Sequence, residues 1–154
     1  MIDITHIHPM LVHFPIVLLP LGVLLYVVAA WRGDDLGARR GLSLLAFLCL
    51  FAGTLSAMLA AAFGDIALDA AVDKGFDEAP LEGHEELAGP TIVVFGVLVL
   101  VQALALWRSI AVRGGRAWLL ALVGIAGVVL LLVTAYHGGQ LVYDLGVNVA
   151  PVKP

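Results

Sequence analysis

Hydrophobic residues run almost unbroken through four stretches of the chain, 10–31, 41–63, 90–112 and 117–136. Each reaches the roughly 20 residues that an α-helix needs to cross a hydrocarbon layer. The links between them differ in kind. The first, from Arg32 to Arg40, is short and carries three arginines, and the third carries three more at Arg108, Arg113 and Arg116. The second, 64–89, is longer and acidic, with Asp65, Asp69, Asp73, Asp77, Glu78, Glu82, Glu85 and Glu86 against Lys74 alone. This pattern predicts an all-α protein, an integral membrane four-helix up-down bundle. Residues 1–154 form a single domain, with 64–89 as an acidic outer loop. Pro80 is placed to open the third helix ahead of the lipid and Pro90 to bend it on entry.

Composition agrees: 62% of the 154 residues are hydrophobic and 13% charged, against roughly 45–50% apolar content in a soluble domain. Six of the eight basic residues fall in the two links that an up-down bundle puts on one side, and the excess of positive charge marks that side as cytoplasmic. The N and C termini then lie on the same, outer side, as in a multi-pass protein of a bacterial inner membrane with its termini facing the periplasm. The first apolar run lacks a basic n-region and an A-x-A-like site, and it is longer than the roughly 7–15 residues of a signal's apolar core. It is therefore expected to stay in the chain. Cys49, the single cysteine, sits within an apolar stretch, which excludes an internal disulfide and reads as packing.

Trp31-Arg32 recurs as Trp107-Arg108, and Arg40 as Arg116, at a common offset of 76, which suggests two tandem hairpins. Trp31, Trp107 and Trp118 fit one interfacial belt, and Phe14, Tyr136 and Tyr143 the other. Small residues at Gly53, Ser56 and Ala60, and at Gly124, Ala126 and Gly127, are expected to let the second and fourth helices approach closely. Gln102, deep in the third apolar run, calls for a hydrogen bond between helices.

The chemistry lies in the histidines. His6, His8 and His13 open the first helix within His6-Ile7-His8-Pro9-Met10-Leu11-Val12-His13-Phe14-Pro15, and His84 and His137 are brought to the same outer face by the topology. An imidazole at the edge of hydrocarbon needs a partner. Pro15 and Pro20 each remove an amide donor from the first helix, leaving carbonyls for neighbouring groups or a cavity to satisfy. Gly138-Gly139 is expected to end the fourth helix, leaving His137 in its last turn. His13, His84 and His137 come from three helices, and the first and third helices are diagonal. His13 and His84 are thus the first pair for a cofactor, with His137, with or without His8, as a spare or second-site ligand.

Three readings follow. A pair of neutral imidazoles can hold haem b for electron transfer. His13, His84 and His137 can instead bind a non-haem metal such as copper, zinc or iron, with Glu82, Glu85 and Glu86 as hydrogen-bonding partners or ligands. In the third, the histidines are interfacial groups of a structural subunit without a cofactor. Asp65, Asp69 and Asp73 recur every four residues and read as a solvated face, a cation site being the alternative. The chain offers no nucleophile paired with a base, no phosphate-cradling loop and nothing to engage nucleic acid, so it is not expected to be an enzyme by itself. No charge lies in the central hydrocarbon of any helix, which argues against an ion pathway.

His8-Pro9-Met-Leu-Val-His13-Phe14-Pro15, Gly83-His84-Glu85-Glu86 and His137-Gly138-Gly139-Gln-Leu141-Val142-Tyr143 followed by Gly146-Val147 resemble the bacterial predicted-membrane-protein family known as domain of unknown function 2231. The likeness covers essentially the whole chain. It implies a four-helix membrane protein, in some members joined to c-type cytochrome domains, which favours haem and electron transfer. Under the first and third readings a periplasmic c-type cytochrome or other membrane subunits are expected partners besides the lipid bilayer, because so small a bundle offers little room for an independent reaction, and a homo-oligomer is a further expectation. Members of the family often carry a histidine after the Leu-Val-Tyr segment, where this chain has Leu145, and this departs from any role that needs a histidine in the tail.

Overall fold

The structure is a computed structural model in which residues 4–149 are described. A 3-10 turn at Ile4–His6 leads into a short helix, α1 (Ile7–Leu11), and then into four long ones: α2 (His13–Arg32), α3 (Gly41–Asp73), α4 (Glu78–Arg108) and α5 (Gly115–Tyr143). Among the described residues there is no strand. The chain breaks between α1 and α2 because Pro15 has no N–H to offer the Leu11 carbonyl.

The long helices form a ring. Each packs on its neighbours in chain order, α5 closes onto α2, and α1 lies against α3. All four are long and apolar enough to cross a membrane. Their outward faces carry exposed apolar side chains such as Leu24, Leu55, Leu100 and Leu132, a surface matched to lipid rather than to water.

Small residues set the spacing, though not between α3 and α5, which lie on a diagonal. Gly53 of α3 instead receives Leu19 of α2: a Cβ there would stand 2.7 Å from Leu19 Cδ2. Gly127 of α5 receives Phe95 of α4, whose Cζ would be 3.0 Å from such a Cβ. Each glycine thus accommodates a large side chain from the preceding helix of its own hairpin.

The segment 64–89 is not a loop but helix, apart from residues 74–77. Its first part carries three alanines and no proline, and Gly64 is its only glycine before the turn, so α3 runs on beyond the apolar run. With 33 residues it is about 50 Å long, against roughly 30 Å of hydrocarbon. Gly75, at φ 88°, makes the turn. Asp77 caps α4 by accepting from the Ala79 amide, and Pro80 falls in the first turn, where its missing N–H costs nothing. Similarly, α5 continues through Gly138 and Gly139 to Tyr143.

Both short links lie at the basic end and are tied to each other. The Leu36 amide donates to the Val112 carbonyl at 3.0 Å. Asp35 accepts from the amides of Gly37 and Val112 and pairs with Arg113 at 3.4 Å. Desolvation pushes the Asp35 carboxyl upward, but the two amides and the Arg113 guanidinium outweigh it and hold the group below the usual carboxylate range. Arg39 donates to the carbonyls of Leu106 and Trp107, satisfying the end of α4. Gln102 makes the expected interhelical contact, accepting from the Tyr26 hydroxyl at 2.7 Å and donating to the carbonyls of Leu36 and Ser43.

Candidate functional site

Polar groups also converge at the opposite, acidic end. The α1–α2 break sets His8 against α3, where its Nδ1 lies 2.7 Å from the Ala60 carbonyl oxygen. His84, in the second turn of α4, places its Nδ1 3.0 Å from the Thr134 carbonyl oxygen of α5. A carbonyl only accepts, so each Nδ1 carries the hydrogen, and in the neutral ring each Nε2 keeps its lone pair. The two rings lie 6.3 Å apart between centres, with their planes at 87°.

Two glycines make this possible. A Cβ on Gly64 would stand 3.1 Å from His8 Nδ1, and one on Gly138 would stand 2.8 Å from His84 Cε1. Both glycines lie one turn after the carbonyl that holds the ring. Near His84, the buried hydroxyls of Thr91 and Thr134 meet at 3.2 Å, and among the described residues no buried side-chain polar atom lacks a hydrogen-bond partner.

Beside the imidazoles is a cavity of about 150 Å³, walled by small and apolar residues such as Ala67, Ala71 and Leu141. Asp65, Lys74 and Glu85 also line it, and all three are exposed. One wall is completed by the two ends of the described chain. Thr5 Oγ1 donates to Asn148 Oδ1 at 3.3 Å, and Asn148 Nδ2 donates to the Thr5 carbonyl at 3.2 Å.

The residue that faces His84 is therefore His8 rather than His13. His13 is exposed at the start of α2 and does not line the cavity. His8 and His13 stand on either side of the break between α1 and α2, and of the two only His8 lines the cavity. His137 lies outside the cavity lining, donating from Nδ1 to the Val133 carbonyl of its own helix and lying edge-on to Tyr136. His6 is exposed, as are Glu82 and Glu86. Asp69 and Asp73 are solvated, as the stripe reading has it. Among the described residues no three His, Cys, Asp or Glu gather closely enough to hold a metal ion. The signal that identifies the pair is the repeat itself, since His8 and His84 stand 76 residues apart, like the two Trp-Arg pairs.

A family model described as predicted membrane protein (DUF2231) matches residues 5–151, a range that takes in every residue of this site. No curated protein and no solved structure matches the chain.

Proposed function

The chain belongs to the DUF2231 family of predicted membrane proteins, and for this member we propose electron transfer through a b-type haem held between His8 and His84. The observation that carries the reading is the spacing of the two rings. Imidazoles bound on opposite sides of one metal ion, at about 2.0–2.1 Å per bond, put their ring centres roughly 6–6.5 Å apart, and these stand at 6.3 Å. Haem, when bound, supplies one-electron redox chemistry.

The protein's own groups have distinct parts in this. The Ala60 and Thr134 carbonyls fix the tautomer and rotation of each ring and raise the basicity of Nε2. Gly64 and Gly138 leave the rings room. Lys74 offers a cation at the cavity for an acidic group of the ligand. The enclosed volume is that of about one six-membered ring, so a whole macrocycle would need the cavity to open further around the two rings. A chelated copper, zinc or iron ion, the competing reading, finds only two imidazoles here and no third ligand among the described residues. In this reading the basic end faces the cytoplasm of a bacterial inner membrane and the site faces the periplasm. The exposed carboxylates around the mouth suit a basic electron-transfer partner, such as a c-type cytochrome.

Spectra of the protein purified in mild detergent, oxidised and then reduced, test the proposal. The expected result is a Soret band with sharp reduced α and β bands, lost in His8→Ala and in His84→Ala and kept in His13→Ala and His137→Ala. A colourless protein after expression with haem supplied, or full haem content in both of the first two variants, overturns it.

A further inference from the structure

The pairing of His8 with His84 belongs to a register that runs through the chain. At the same offset of 76, Leu19 corresponds to Phe95 and Tyr26 to Gln102, all four fully buried. Both first helices end in the same way. Gly33 and Ser109 are left-handed caps, and the next amides, of Asp34 and Ile110, return to the carbonyls of Ala29 and Ala105. Leu36 and Val112, joined by their backbones, are again 76 apart. The third link, between α4 and α5, is two residues shorter than the first, between α2 and α3, and from there the offset is 74. It relates Gly41 to Gly115 at the starts of α3 and α5, Gly53 to Gly127, Ala60 to Thr134 and Gly64 to Gly138. Arg40 and Arg116, a match by sequence, fall out of register for this reason.

The matched positions also do the same things. Gly53 receives Leu19 as Gly127 receives Phe95, and Ala60 and Gly64 hold His8 as Thr134 and Gly138 hold His84. A residue and its counterpart can touch each other only on the two-fold axis that relates them. Tyr26 touches Gln102 nearer the basic end, and His8 meets His84 at the acidic end, so the axis runs lengthwise through the bundle and through the site.

We infer that the site is two-fold. Each of two duplicated hairpins contributes one imidazole, one carbonyl that orients it and one glycine that makes room for it, and the ligand lies on the axis, held at two opposite and chemically equivalent positions. The ligand class is a metal centre that two imidazoles, one from each hairpin, could hold. This identification of the ligand rests on the haem reading, whereas the equivalence of the half-sites does not.

Nitrogen-15 NMR of histidine-labelled, ligand-free protein in detergent tests the inference, with signals assigned through His8→Gln and His84→Gln. His8 and His84 should share one tautomer, protonated at Nδ1 with Nε2 bare. Gly64→Ala should shift only the His8 signals and Gly138→Ala only those of His84. Haemin added to the same sample should broaden both rings together. Different tautomers for the two rings, or broadening of one ring alone, overturn the two-fold site. Matched rings that ignore haemin uphold the two-fold site and remove the haem reading.

Discussion

A methyl group has opposite consequences at two of the glycines. At Gly37 it would be driven into the backbone carbonyl of Ile110, in the facing link, and backbone held by its own hydrogen bonds cannot move aside. At Gly138 it would meet the edge of the His84 ring, which can swing on its χ angles. Gly37→Ala should therefore lower stability by about 1–3 kcal/mol, the usual cost of overpacking, and leave the histidines undisturbed. Gly138→Ala should hold stability near that of the parent, because alanine gains up to about 1 kcal/mol of helix propensity over glycine, yet it should displace His84. Thermal unfolding in detergent, with the histidine spectra alongside, separates the two. The site was only partly legible at this scale. The five histidines and their common end of the bundle could be read from the chain, but choosing His8 over His13 depended on the break between α1 and α2, which the unbroken apolar pattern did not show.

Among the elements, the paired links at the basic end respond to pH. Asp35 has a lowered folded-state value, so its contribution to stability is present above the unfolded carboxylate value of about 4 and is lost as the pH falls through the lower, folded one. The melting temperature should hold from neutral pH down to about 5 and drop below about 4. Asp35→Asn should be less stable at neutral pH and should show a smaller acid drop; an unchanged drop would assign it to other carboxylates. The apolar runs located all four spanning helices but not their outer ends. Hydropathy reports where lipid stops, whereas a helix stops only where the backbone is broken or capped. That happens at Gly75 and Asp77, ten residues or more past the point where charges begin. The doublet at Gly138 and Gly139 was misleading for a related reason, since Gly138 serves the neighbouring ring rather than a helix end.

For the whole molecule, the asymmetry of charge predicts orientation. A cysteine placed by Ala79→Cys should react with an impermeant maleimide on intact cells, and one placed by Ala111→Cys only after the membrane is opened; the reverse pattern would put the paired imidazoles in the cytoplasm. The native Cys49 is buried and does not interfere. In the sequence the duplication showed faintly, as two Trp-Arg pairs, a match of Arg40 to Arg116 and the spacing of His8 and His84, because most matched positions keep a shape or a backbone role rather than a residue type. Tyr26 and Gln102 are one such pair, and Ala60 and Thr134 another.

The two ends of the bundle are fastened very differently. At the basic end, both links are sewn together by backbone amides, the Asp35 carboxylate and the Arg39 guanidinium. At the other end, the described termini meet through one threonine and one asparagine. Mechanically the basic end is a seam and the acidic end a fitted joint. The packing of α1 on α3 and the His8–Ala60 hydrogen bond hold the site end side chain by side chain, so the residues that would grip a ligand can be exchanged one at a time without unstitching the links that keep the four long helices together.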